Sequence, residues 1–336
     1  MTTQQFLENR LNKRKTYSLT PKDERKIKQN IELFILDRLT SGSYRKSKLD
    51  EATLENLKRK IKEAVSANKP LQFTFPFGGY KLHSFPSAPT VGWAEFFTIA
   101  YYSDYLNQVT DHYEPGVEFT FSSDEAIINK MDNIPQTDID MYTDTFKGLL
   151  NAFNKVNPKN MKFKLQRVKD LYASETELWD ELESYRAETE NNWENFSEDK
   201  RDKRKKMILL NFNFKGEKDL TELSEQELEE LLKENVRLHD SYLKLTKRRD
   251  FVRGEDKIVV FSTSISDSIT LGSTKYSGAK FWSGYGALKL VEDNKYSDVV
   301  LTPEQIKGVD FKEEKIDLID LPNFDKIRIY PQNKVK

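Results

Sequence analysis

Two stretches of this sequence each run from a short apolar strand, through a break, into a helix. The first is "LQFTFPF" (71–77), followed by a turn rich in Gly and Pro and then by apolar residues at helical spacing over 91–111. The second is "VEFTF" (117–121), which alternates as a strand, with Ser122 or Ser123 placed to cap a helix starting near Asp124. Another helical pattern follows in "IPQTDIDMYTDTFKGLLNAF". Strand–loop–helix units in succession predict one mostly parallel α/β sheet with helices on both faces, since parallel strands need long crossovers of one hand. Segments 71–75 and 117–121 are expected to be neighbours or near neighbours in it.

The chain on either side reads as helical scaffold and a strand-rich tail. Residues 1–67 read as an N-terminal helical lobe of two helices: Thr20-Pro21 starts one that runs through "IKQNIELFILDRL", and Asp50 caps a second with Leu54, Leu57, Ile61 and Val65 on one stripe. Residues 68–336 are expected to form one α/β domain carrying a charged helical insertion, 174–235. Within that insertion "EDKRDKRKK" reads as a solvated helix surface. Ser224 and Glu227 form a capping box for a long helix. Beyond it, "DKIVVFSTS", "AKFWSGYGALKLV", "YSDVVL" and "KIRIYP" read as strands, and "LTPEQ" as a short helix.

Composition narrows the function classes. The 336 residues carry 54 basic and 55 acidic side chains, so the overall field favours neither nucleic acid nor an anionic membrane as partner. No cysteine is present, which removes thiolate metal sites and a Cys nucleophile. The histidines are His83, His112 and His239, no two close in sequence, so a metal site is not expected. No apolar run approaches the roughly 18 residues of a membrane span, and the N-terminus lacks a signal-peptide core; a cytoplasmic protein acting on a small molecule is the expectation.

Ligands of open α/β sheets sit at the carboxyl ends of the strands, in the loops that lead into helices. Two loops here have that position, 75–91 and 121–124. The first holds Gly78-Gly79, where a backbone can approach a ligand, together with Tyr80, Lys81 and His83. Lys81 suits an amine nucleophile or an anion clamp, and Glu95 and Asp124 suit general bases. The loop 76–89 is expected to wall the crevice, with Glu95 and Asp124 projecting into it. Farther along, "KLTKRRDFVRGED" offers Arg248, Arg249 and Arg253, and "LGSTKYSGAKFWSGYGAL" offers Lys275, Lys280 and Trp282 for a pocket.

The spacing of these pieces resembles the isocyanide synthase family, also called the pyoverdine/dityrosine biosynthesis family. Phe75-Pro76, Ala94-Glu95, Tyr113 with Pro115-Gly116, Ser123-Asp124 and Tyr142 follow that family's pattern in order, over residues 73–142. One position departs: the family's lysine falls on Gly78, and the nearest lysine is Lys81. The resemblance implies a Rossmann-like fold. It also implies condensation of an amino acid's amino group with a phosphorylated keto sugar, with no metal or redox cofactor. Such a reaction forms and collapses an imine and moves protons, tasks that Lys81, Glu95 and Asp124 suit chemically. It also needs cations for the phosphate, which Lys247, Arg248, Arg249 and Arg253 can supply. Competing readings are a partner-binding protein on the same scaffold, with Trp179 and Trp193 on an exposed patch, and another small-molecule transferase.

Overall fold

The computed structural model describes residues 1–78, 81, 85, 87–190, 192–212, 222–277, 279–292 and 294–331. The N-terminal region forms four helices, α1 (Thr3–Asn12), α2 (Pro21–Gln29), α3 (Ile31–Leu39) and α4 (Glu51–Ser66). The single helix expected after Thr20 is two. Thr20 and Asp23 build a capping box on α2. Asn30 then leaves the helical region (φ −158°, ψ 81°) and accepts from Leu33 N to cap α3. An asparagine side chain that can bond nearby backbone competes with the helix at that point.

The chain next forms β1 (Leu71–Phe77), α5 (Trp93–Thr110), β2 (Val117–Ser123), α6 (Glu125–Asp132), α7 (Gln136–Val156) and β3 (Met161–Arg167). Three helices follow, α8 (Glu175–Thr189), α9 (Glu198–Phe212) and α10 (Glu225–Leu245), then β4 (Ile258–Phe261) and β5 (Ile269–Thr270). These strands make a five-stranded sheet in the order β3-β2-β1-β4-β5, and every neighbouring pair is parallel. Leu71 faces Val117 and Phe77 faces Ser123, so the two expected strands are direct neighbours. Phe73 stacks on Phe119 and Phe75 on Phe261 along the buried face.

The tail makes a second sheet. It comprises β6 (Tyr285–Glu292), β7 (Lys295–Leu301), the short α11 (Pro303–Ile306), β8 (Lys312–Lys315) and β9 (Lys326–Pro331), with strand order β7-β6-β9-β8. Residues 281–283, expected within a strand, form instead the 3₁₀ turn Phe281–Ser283. Helix α5 lies between the two sheets, and every residue of it is buried. Its buried carboxylates are paired, Glu95 with Lys81 and Asp104 with Arg10, as burial of a charge requires. The close fit needs Gly286: a Cβ there would overlap the backbone of Trp93 and Ala94.

The strand order fixes where a ligand can enter. The chain steps outward from β1 to β2 to β3, then crosses back to place β4 on the other side of β1. Crossovers leave in opposite directions on the two sides of β1, which opens a crevice at the carboxyl ends of β1 and β4.

Candidate active site

The crevice is occupied by a cleft of about 220 Å³. Pro76, Phe77 and Gly78 from the end of β1, Asp124 from the end of β2 and Phe261 from the end of β4 line its inner wall. Lys280 and Trp282 come from the turn before β6, and Arg253 from the loop before β4. The outer wall is helical, through Arg204 and Met207 of α9 and Asn235, His239 and Tyr242 of α10. Asn235 Nδ2 donates to Met131 O at 3.0 Å and ties that wall to α6.

Asp124 stands at the N-cap position of α6, yet its side chain makes no capping hydrogen bond. Its backbone N–H donates to Phe77 O at 3.1 Å, so the ends of β1 and β2 are joined there. Its Oδ1 is sealed from solvent and has no partner among the described residues. Burial pushes its pKa up to about 8, with Glu125 and Asp132 adding to the rise; its own backbone N–H and Arg253 oppose it. The neighbouring Glu125 holds the turn in place, accepting from Ser123 Oγ at 2.6 Å and from Arg167 Nε at 2.5 Å.

Cations face this carboxyl. The Arg253 guanidinium feels both Asp124 and Tyr242, and its Nε has no hydrogen-bond partner among the described residues. Burial lowers its pKa and pushes the Tyr242 phenol well above the ordinary range. Lys280 is exposed to the cleft, with its ammonium 5.5 Å from the centre of the Trp282 ring. His239 Nδ1 lies 3.1 Å from both Arg204 Nη2 and Asp240 Oδ1.

Lys81 and Glu95 are brought together, but behind the cleft. Both side chains have no exposed surface. Lys81 Nζ donates to Glu95 Oε1 at 2.8 Å, Glu95 Oε2 at 3.1 Å and Phe281 O at 3.1 Å. Glu95 also accepts from Tyr142 OH at 3.1 Å and from Gly92 N at 2.8 Å, closing the start of α5. Burial lowers the Lys81 pKa and Glu95 resists the change. The remaining cations lie apart. Arg248 is held by Glu181 and Asp250, and Arg249 is exposed beside Glu255 at 4.0 Å. Tyr80 and His83 lie outside the described residues.

The sequence reading missed the outer wall. Its signal was present: Asn235, His239, Tyr242 and Thr246 fall at helical spacing and mark one face of α10. A larger groove of about 930 Å³ lies on the second sheet, away from the strand ends. Two of the charged groups there are already paired, Lys295 with Glu292 and Asp298 with Arg10. Among the described residues no three His, Cys, Asp or Glu side chains are grouped to hold a metal ion, and no helix is long and apolar enough to cross a membrane.

No protein-family description matches this chain, and no curated protein matches it. A solved structure does. The fold is similar to that of the PvcA protein from Pseudomonas aeruginosa. The TM-score is 0.65 at 14% sequence identity, over 90% of this chain and 99% of that one. At that identity the match establishes a shared fold.

Proposed function

We propose that the chain is a biosynthetic synthase of the isocyanide type, condensing an amino acid's amine with a phosphorylated keto sugar in the cleft at the ends of β1 and β4. The observation that carries this reading is the pairing of two opposite groups in one site. Asp124 holds a proton near neutral pH and faces an Arg253 guanidinium whose Nε is unpartnered among the described residues. A carboxyl with a pKa near the working pH can both give and take a proton. A half-buried guanidinium near it supplies the bidentate donor that a phosphate takes best. The motifs of residues 73–142 and the fold shared with PvcA support the same reading.

In this mechanism Arg253 holds the phosphate and so places the keto carbon in the cleft. Asp124 protonates the departing oxygen as the carbon–nitrogen bond forms, then recovers a proton from the adduct. Trp282 and the apolar residues of α6 and α9 shield the site from water, which strengthens both charges. The partner-binding alternative calls for Trp179 and Trp193 on one exposed patch. Trp193 is buried against Ile208 and Leu232, while Trp179 packs with a different cluster under Lys130, whose Nζ is 3.4 Å from its ring centre.

The test is direct. Purified protein is incubated with a ketopentose phosphate and each amino acid in turn, and the products are read by mass spectrometry. The reading requires an amino acid whose amine gains a carbon and loses two hydrogens. Recovery of every amino acid unchanged would refute it.

A further inference from the structure

We propose that Lys280 is the amine that first captures the keto substrate, as an imine on the enzyme, and hands it to the amino acid by exchange. This inference rests on the synthase reading and adds a covalent step to it. The lysine that the sequence pointed to is unsuited to that step. A lysine that forms an imine must present a neutral nitrogen to a carbonyl carbon. Lys81 cannot do so in this arrangement: it has no exposed surface, and three acceptors within 3.1 Å take all three of its N–H donors. Its effect reaches the cleft through Phe281, whose carbonyl it holds. That carbonyl belongs to the residue between Lys280 and Trp282, both of which line the cleft.

Lys280 has what Lys81 lacks. Of the described residues lining the cleft, it is the lysine, and its side chain is exposed there. Its ammonium makes no ion pair with a described residue; the group over it is the Trp282 ring, at 5.5 Å. Its backbone is held on the C-terminal side, because Ser283 N and Ser283 Oγ donate to Lys280 O and Lys81 anchors the next carbonyl. Asp124 is close enough to act on its charge. The protein around Lys280 pulls its pKa down from the ordinary lysine value, opposed by Asp124, which increases the neutral fraction.

The step balances with these groups. The Lys280 nitrogen lone pair forms the carbon–nitrogen bond as the carbonyl electron pair moves to oxygen. That oxygen takes the Asp124 proton, and the nitrogen returns a proton to the Asp124 carboxylate. A second transfer from Asp124 carries the hydroxyl away as water and leaves a protonated imine on Lys280, with Asp124 ionised beside it. The amino acid's amine then adds to the same carbon and expels Lys280 as a neutral amine, with Asp124 moving the protons back. Arg253 keeps the phosphate in place throughout.

The experiment is trapping with sodium borohydride in the presence of dihydroxyacetone phosphate, followed by peptide mass spectrometry of the full-length protein. One reduced adduct per chain is expected, on the peptide that carries Lys280. Excess inorganic phosphate should suppress it at least tenfold, and Lys280→Arg, which keeps the positive charge, should abolish it. Adducts spread evenly over surface lysines overturn the proposal, as does undiminished turnover in Lys280→Arg. The two readings fail separately. Isocyanide formation with no Lys280 adduct removes the covalent step and leaves the synthase. A specific Lys280 adduct with no condensation of any amino acid upholds the imine at Lys280 and removes the synthase function.

Discussion

Replacing Asp124 with asparagine should make the protein more stable, and increasingly so as the pH rises. The carboxyl pKa is raised from 3.8 to about 8 in the folded protein, mainly by burial. Folded protein therefore holds this proton over a range in which unfolded protein has released it. The contribution is fully present below pH 3.8, falls as the pH rises toward 8, and is constant above that. A tenfold difference in proton affinity between the folded and unfolded chain is worth about 1.4 kcal/mol. The whole interval would then give roughly 5–6 kcal/mol as an upper bound, and the remaining exposure of Asp124 to the cleft reduces it to about 3 kcal/mol. Asparagine keeps the shape and cannot ionise, so the wild-type penalty at high pH disappears. Urea unfolding of both proteins at pH 5, 7 and 9, followed by tryptophan fluorescence, measures the difference. On the same slope it should be about 1 kcal/mol at pH 5 and reach about 3 kcal/mol in favour of Asp124→Asn at pH 9. A difference that does not change with pH would refute the burial argument and with it the proton-carrying role. The same variant should lose turnover on the condensation reaction.

Three further outcomes follow from the geometry. Arg253→Gln should weaken binding of inorganic phosphate by about tenfold or more, as expected for loss of a charge-assisted hydrogen bond, while the exposed Arg249→Gln should leave it unchanged; isothermal titration distinguishes the two. Lys81→Met should destabilise by about 3–5 kcal/mol because it strands the buried Glu95 carboxylate, and adding Glu95→Gln should recover part of that loss in denaturant unfolding. Gly286→Ala should cost about 3 kcal/mol, since its Cβ would press on the backbone of α5; an unchanged melting temperature would show that the two layers can separate freely.

Much of the fold was legible because local chemistry decides it. The caps at Thr20, Asp50, Ser224 and Thr302 all form, each with its side chain accepting a backbone N–H three residues on. The strands at 71–77 and 117–123 and the helices at 93–110 and 136–156 follow from apolar spacing over a few residues. Other strands carry little signal of their own. β3 reads "MKFKLQR", an edge strand with lysine at alternate positions early in its run, and β8 is "KEEK"; both owe their form to neighbouring strands rather than to their own residues.

The candidate site divides in the same way. The sequence by itself placed Asp124 at the end of a strand and the start of a helix, which is enough to put it on the rim of the sheet. It also named Glu95, Arg253 and Lys280. Only the tertiary structure decided which of them share a space. Glu95 lies on the inner side of α5, where burial between two sheets forces its charge onto Lys81. Arg253 and Lys280 reach Asp124 because the chain returns across the sheet to lay β4 beside β1. Arg248, a few residues away, turns outward to Glu181 on α8. Caps and periodicity act over one or two turns of chain. Convergence across more than a hundred residues is set by which faces must be buried together, and no local pattern encodes that choice.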